Sequence, residues 1–383
     1  MKRGWCPGAL TPMETGDGLL VRVRPRGGRY TLAQLTAIAA ASRNGNGAID
    51  LTNRANLQLR GLTAETLPHA VAVLTDAGLI DASCEIEKVR NVIVSPLAGD
   101  AAFDFARGLE AALARSPALT ELPGKFGFAV DTADAPLPAR ARADIRITLD
   151  GPRAVLRAAW ITVLPVDLAV AVPAALGLAQ AFLAVSGSLA SGHPMPVTEP
   201  APSAGLTGPA TAPIAFGVGL PYGRISGDAL ARLAEAATRS GIRHAHPSVQ
   251  RCLVFPLTGN DYAPLLAAAR DAGLILAADD PRLAIDACPG SPACARATTS
   301  TRTQADAIAA VLRTLPFPLP RIHVSGCLKG CAHAGPAALT IVAREGCYDL
   351  VHNGRADDRP AVTGIAPAAL PGAVLHHLRT SRV

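Results

Sequence analysis

Five residues recur almost unchanged at a distance: Asp76-Ala77-Gly78-Leu79-Ile80 returns as Asp271-Ala272-Gly273-Leu274-Ile275, 195 positions later. A chain that carries one pattern twice is constrained to fold as a duplicated unit. Aligned at that offset, the flanks agree in element order. Gly18 to Arg24 and Phe216 to Leu220 read as apolar strands, Thr31 to Ser42 and Asp228 to Ser240 as Ala/Leu helices. Ala48 to Leu59 and Ile242 to Leu257 read as strand pairs with a turn, and Pro68 to Ala77 and Tyr262 to Ala272 as second helices. Two such half-units are expected to pair into one α+β domain around a pseudo-two-fold axis.

Between the repeats lie residues 81 to 211, ending in a stretch from 186 to 213 that is rich in Pro, Gly, Ser and Thr and reads as a linker. Residues 281 to 383 follow the second repeat. The order is therefore A–B–A′–B′, and B and B′ are themselves candidates for a duplication.

The last segment carries the chemistry. Cys288 and Cys294 are separated by five residues in Cys288-Pro-Gly-Ser-Pro-Ala-Cys294; Cys327 and Cys331 are separated by three in Cys327-Leu-Lys-Gly-Cys331. A helix from Thr303 to Leu315 is expected between them. Four thiolates are the usual ligand set of an iron–sulfur cluster, and Pro and Gly bend both loops so that sulfurs can converge and backbone N–H groups can turn inward. Structural zinc usually spaces its paired ligands by two to four residues, so the five-residue gap counts against it. Four unrelated buried thiols are the remaining alternative. Cys84, Cys252 and Cys347 have no paired spacing and read as structural; the role of Cys6, in Cys6-Pro7-Gly8, is left open.

With 49% hydrophobic and 17% charged residues, the chain is globular. A net charge of +6 points to an anionic partner, but no Lys/Arg run and no interleaved aromatics support nucleic acid. Arg22, Arg24 and Arg26 alternate as if on one strand face. The apolar stretch from Ala158 to Val185 is interrupted by Pro165, Asp167, Pro173 and Gln180, which suits a buried strand followed by a helix rather than a membrane span. No apolar run follows the first charged residues, so a cytoplasmic protein is expected, in which clustered Cys suggests metal rather than disulfides.

The five-then-three cysteine spacing and the A–B–A′–B′ order over the whole chain resemble the sirohaem sulfite/nitrite reductase superfamily. Three further segments agree: Leu51-Thr52-Asn53-Arg54-Ala55-Asn56-Leu57-Gln58-Leu59-Arg60; Arg90-Asn91-Val92 with Pro96-Leu97-Ala98-Gly99; and Leu122-Pro123-Gly124-Lys125-Phe126-Gly127. The resemblance implies a 4Fe–4S cluster on Cys288, Cys294, Cys327 and Cys331, with Cys331 the residue that bridges to sirohaem iron in the reductases. It implies ferredoxin-like half-domains over residues 1–80 and 201–280, pairing into one domain, and two larger α+β lobes over 81–200 and 281–383, the last of them cluster-binding.

Departures from the reductases narrow the function. Those enzymes carry a second lysine where this chain has Gly127 and an arginine where it has Gly124; six-electron reduction consumes many protons, so a missing donor is a serious loss. Together with Gly16-Asp17-Gly18-Leu19-Leu20-Val21-Arg22-Val23 and Lys125-Phe126-Gly127-Phe128-Ala129-Val130-Asp131, these departures resemble the precorrin-3B synthase family. That resemblance implies an oxygen-dependent monooxygenase of aerobic cobalamin biosynthesis. It would convert precorrin-3A to precorrin-3B by hydroxylation at C20 and γ-lactone formation. No Gly-rich dinucleotide fingerprint follows a strand, so electrons from NADH would arrive through a separate reductase. A mononuclear non-haem iron is also implied, without ligands that the sequence can place; His244 and His246 are candidates by side-chain chemistry, and ordinary core or surface histidines are the simpler alternative. His323 and His333 flank the second cysteine pair. A tetrapyrrole bearing many carboxylates calls for fixed cations. Arg54, Asn56, Gln58 and Arg60 share one face if the segment is a strand, and with Arg90 and Lys125 they are the expected substrate-binding residues. A sirohaem-dependent sulfite or nitrite reductase, or a non-catalytic Fe–S carrier or tetrapyrrole-binding protein, are the other readings.

Overall fold

The computed structural model describes residues 7–138, 141–158, 160–185, 204–208, 213–257, 259 and 261–380. Cys6 and most of the expected linker at 186–213 lie outside them.

Each repeat builds a sheet backed by helices, and each borrows a strand from the other. In the first, Gly18–Val23 pairs with Leu57–Leu62, which pairs with Ala48–Leu51, all antiparallel. Arg224–Ser226, from the second repeat, adds beside Ala48–Leu51. In the second, Gly205–Thr207, Ala215–Gly219, Cys252–Pro256 and His244–Pro247 lie in that order. Tyr30–Thr31, from the first repeat, adds beside His244–Pro247. The exchange is reciprocal, as a pseudo-two-fold pairing requires. Alternation decides the faces: Val21, Val23, Ile49, Leu51, Leu57 and Leu59 are all at most 3% exposed. Gly61, at φ 73°, stands at a register shift in this pairing, and the extra residue returns Leu62 to the buried side.

Helices Leu32–Ser42 and Gly227–Arg239 pack on each other. Thr31 caps the first in a reciprocal box with Gln34, and Ser226 caps the second through Ala229 N–H. Their contact needs a small residue, since a Cβ on Gly227 would meet Ser42 Oγ at 2.1 Å and the Ala39 carbonyl at 3.0 Å. The second helices are Leu67–Asp76 and Ala263–Asp271.

The two intervening segments share one topology. In the first, Val92–Val94, Phe128–Thr132 and Ile145–Asp150 run parallel, and Arg153–Ala158 and Ile161–Asp167 continue antiparallel. In the second, Ile285–Ala287, Ile322–Ser325 and Ala337–Arg344 run parallel, and Cys347–Gly354 and Val362–Ile365 continue antiparallel. Each has a helix between its first two strands, Asp100–Ala114 or Thr301–Leu312, and a closing helix, Leu168–Val185 or Leu370–Thr380. The B segments are thus duplicated along with the A segments.

Leu168–Val185 is, among the described residues, the one helix long and apolar enough to cross a membrane. It follows a strand as the sequence suggested, but that strand, Ile161–Asp167, lies at the sheet edge with Val163 50% exposed and is not the buried one expected. The helix seats Ala171, Ala175, Leu178, Ala179 and Phe182 in the lobe core, where Phe182 meets Phe126 at 4.9 Å and Trp160 at 5.1 Å. Phe126 and Phe182, each 2% exposed, contribute roughly 1.5–3 kcal/mol apiece of transfer free energy.

The chain divides into two compact units. One comprises Met1–Met13 and Leu19–Leu274; the other comprises Glu14–Gly18 and Ile275–Val383.

Candidate cluster centre and the polar sheet face

In the second unit, both cysteine pairs leave the carboxyl ends of adjacent parallel strands, a common place for ligand sites in such sheets. Cys288 directly follows Ile285–Ala287, and Cys327 comes two residues after Ile322–Ser325. The parallel register, Ala287 opposite Val324, brings the loops together, and Gly326 N–H donates to Cys288 Sγ at 3.2 Å. Only a glycine fits there: a Cβ at 326 would lie 2.7 Å from Ala297 Cβ and 3.4 Å from that sulfur. Gly290 is held at φ 69° against the start of Thr301–Leu312, and Gly330 at φ 61° shapes the three-residue loop. Gly16 reaches the first loop, with a Cβ position 2.8 Å from both the Pro292 carbonyl and the Ala295 N–H.

The other three thiols all lie within electrostatic range of Cys331. Burial pushes the Cys331 thiol up; Lys329 pulls it down, and Cys288, Cys327 and Cys294 push it up again. Cys288 is buried, Cys294 and Cys327 are half-buried, and Cys331 is exposed. Among the described residues, no three His, Cys, Asp or Glu side chains converge as they would around a single metal ion. His333 Nδ1 sits 2.9 Å from Asp286 Oδ2, and its ring is 5.8 Å from the buried His323 ring.

In the first unit, the non-core face of the first sheet is polar. Register sets Arg22 opposite Gln58, Gln58 opposite Asp50, and Asp50 opposite Arg224. The Gln58 carboxamide, in the orientation that satisfies both groups, accepts from Arg22 at 3.1 and 3.3 Å. Arg224 grips Asp50 at 2.8 and 3.1 Å, and Arg60 approaches the same carboxylate at 3.6 Å. Asp50 and Arg224 escaped the sequence reading because only strand register reveals that they face Gln58.

Three expectations need correction here. Arg54 is not on the strand face with Gln58 and Arg60. It sits in a turn, closed by Thr52 N–H to the Asn56 carbonyl, with Ala55 at φ 57°; Asn56 ends that turn and the strand begins at Leu57. The turn is seated by Ala55, which packs with Ile93 and Ala129. Arg54 Nη2 donates to the Lys125 carbonyl at 2.8 Å, so Arg54 and Lys125 do meet, Lys125 with an exposed side chain. Gly127 is what leaves room: a Cβ there would lie 3.2 Å from the Asn91 carbonyl and 3.6 Å from Arg54 Nη1.

The second correction concerns Arg90, which is 4% exposed and committed internally. It contacts Asp81 at 2.9 and 3.1 Å, the Pro25 carbonyl at 2.7 Å and Glu110 at 3.6 Å. Burial pushes the Asp81 carboxyl up, but Arg90 and Arg26 outweigh it and hold it below its ordinary value. The expected common face of Arg22, Arg24 and Arg26 also dissolves: the strand ends at Val23, Arg24 turns to Glu87 at 3.2 Å, and Arg26 pairs with Asp81. Burial lowers the Arg24 pKa to about 10, partly offset by Glu87.

The histidines considered as iron ligands are set differently. His246 is buried, with Nδ1 2.8 Å from the Pro96 carbonyl and its ring 4.2 Å from Phe103; burial lowers its pKa to about 4. It is a core residue. His244 lies half-buried on the same strand, opposite Thr31.

Known proteins match this arrangement. Residues 11–77 match the nitrite/sulfite reductase ferredoxin-like half domain. A protein of Sinorhizobium sp. named precorrin-3B synthase is 32% identical, over 94% of this chain and 85% of its own length. The chain belongs to the precorrin-3B synthase family. The ferredoxin–nitrite reductases of Leptolyngbya laminosa and Synechococcus elongatus are 32% and 37% identical, but over only 33% and 30% of the chain. The structure of the Mycobacterium tuberculosis NirA protein superposes with a TM-score of 0.71 at 18% identity, covering 94% of this chain and 80% of that one. The precorrin-3B synthase family therefore shares its fold with the nitrite and sulfite reductases, as the repeat and the cysteine spacing implied.

Proposed function

We propose that this protein is an oxygen-dependent monooxygenase that converts precorrin-3A to precorrin-3B, with a 4Fe–4S cluster on Cys288, Cys294, Cys327 and Cys331. The near full-length relation to a protein named precorrin-3B synthase carries the proposal. The reaction adds one oxygen atom at C20, closes a γ-lactone from the ring A acetate and reduces the second oxygen atom to water. The two electrons come from NADH through a separate reductase.

The residues fit the cluster. Four thiols on two adjoining loops supply the ligands, Gly326 N–H already donates to one sulfur, and glycine at 326 and 330 keeps the cradle open. When bound, the cluster supplies one-electron transfer. Cys331, the exposed member, is the ligand closest to solvent.

The polar face of the first sheet and the Arg54–Lys125 turn supply fixed cations. Arg54 and Lys125 bind substrate carboxylates. Gln58, held by Arg22, gives that wall a hydrogen-bonding group, and Asn56 closes the turn that presents Arg54; Arg60, 4% exposed and paired with Asp50, is committed internally as Arg90 is and stands outside the substrate set. Arg fits carboxylates bidentately, and a preset guanidinium loses little entropy on binding. The location is cytoplasmic.

The test is anaerobic purification followed by iron and sulfide analysis, a visible spectrum, sirohaem extraction, and oxygen uptake with precorrin-3A and a reductant. Cluster absorbance without sirohaem and substrate-dependent oxygen uptake are expected; stoichiometric sirohaem with sulfite or nitrite turnover would falsify the proposal. Arg54→Glu should weaken substrate binding, most at low ionic strength.

A further inference from the structure

The Pro123–Gly127 loop that carries Lys125 is closed by one turn hydrogen bond of its own, from Phe126 N–H to the Pro123 carbonyl at 2.8 Å. One buried side chain braces that turn from below. The two N–H bonds of the Asn91 carboxamide serve three carbonyls, one of them shared: Lys88 at 2.8 Å, Phe126 at 3.1 Å and Gly124 at 3.3 Å. Two of them flank Lys125 directly. The carboxamide cannot turn over, because Arg24 Nε donates to its oxygen at 3.3 Å. Arg24 is in turn held by Glu87, which also accepts from Ala9 N–H at 2.6 Å. On the far side, Asp144 Oδ2 accepts from Gly127 N–H at 2.9 Å. Between these two anchors the Lys125 carbonyl faces Arg54 Nη2.

We propose that Asn91 is a positioning residue for substrate binding: its carboxamide sets the Pro123–Gly127 loop so that Lys125 and Arg54 present their charges together to one carboxylate. The inference rests on the proposal that these two cations bind the tetrapyrrole. Asn91 does not touch the substrate. It acts through the carbonyls on either side of Lys125. Replacing its nitrogen by oxygen is therefore the sharpest perturbation. Asn91→Asp keeps size and shape and strengthens the contact to Arg24, but turns an acceptor toward three carbonyl oxygens, which then repel it.

The probe is an octacarboxylic porphyrin, uroporphyrin, titrated by fluorescence into the whole protein across a salt series. Wild type, Arg54→Ala, Lys125→Ala, Asn91→Asp and Asn91→Ala are compared, with hydrogen exchange of the 122–128 peptide measured alongside. Asn91→Asp should raise the dissociation constant about tenfold, the scale of one to two lost hydrogen bonds. It should flatten the salt dependence as Lys125→Ala does, and speed exchange in 122–128 while the rest of the lobe stays protected. With substrate, KM should rise and kcat change little. Asn91→Ala reads the same contrast if the aspartate variant does not fold. If Arg54→Ala and Lys125→Ala weaken the probe but both Asn91 variants bind it as wild type does, the inference is wrong while the clamp stands. If Arg54→Ala and Lys125→Ala bind the probe unchanged, the clamp and the inference fall together.

Discussion

Arg90→Ala separates a structural arginine from a binding one. In the folded protein the Arg90 guanidinium spans Asp81, Glu110 and the Pro25 carbonyl, all in the interior of the first unit. Removing one partner of a buried pair costs about 3–5 kcal/mol, because the other charge is left behind. Two features put this case near the lower end, at about 3 kcal/mol. Asp81 keeps Arg26, and Glu110, already pushed up by burial against the pull of Arg90, can shed its charge by taking a proton. For a unit of this size that corresponds to a melting point lower by roughly 10 °C. The assay is thermal unfolding by tryptophan fluorescence in a Trp5→Phe background, so that Trp160, packed on Phe126 and Phe182, reports alone. The pH dependence adds a sign. Asp81 titrates below its ordinary value when folded, so its stabilisation is complete above about pH 4 and is lost as pH falls through the folded value. Arg90→Ala should weaken that acid-side loss, leaving what Arg26 supplies. An unchanged melting point with a selectively raised KM would refute this reasoning and return Arg90 to the substrate site.

His246, with a pKa of about 4, binds its proton more weakly folded than unfolded; stability should fall by about 2 kcal/mol between pH 7 and 5, and His246→Gln should abolish that fall in urea titrations at the two pH values. Gly326→Ala forces a methyl group within 2.7 Å of Ala297 Cβ, so the loop must shift; the purified protein should carry markedly less iron and sulfide with its secondary structure unchanged by circular dichroism. Cys288→Ser should abolish cluster absorbance, and a wild-type spectrum would remove Cys288 from the ligand set. Gly227→Ala meets Ser42 Oγ at 2.1 Å and should destabilise the helix pair by about 1–3 kcal/mol, with Gly227→Ala/Ser42→Gly recovering part of the loss in the same urea titration.

The duplication was legible because helices and strands write their period into the chain. Leu57 and Leu59 alternate toward the core, Ala and Leu recur along Leu32–Ser42, and the offset of 195 aligns both copies. The cysteine pairs were legible for a related reason: spacing within a loop is local, and local geometry follows from local sequence. Arg54 was misplaced because period-two alternation was carried back through Asn56 into a turn, and a positive φ at Ala55 has no mark in an alanine. Arg90 was misassigned because its partners Asp81, Pro25 and Glu110 are distant in sequence, and a buried ion pair looks like a surface arginine until the chain closes around it. The sequence alone thus determined the repeat, the fold class and four thiols on two bent loops. The tertiary structure decided how each cation is partnered. What long-range packing sets beside a charge decides its setting: buried Asp81 and Glu110 for Arg90, and the Lys125 carbonyl across the space that Gly127 leaves for Arg54.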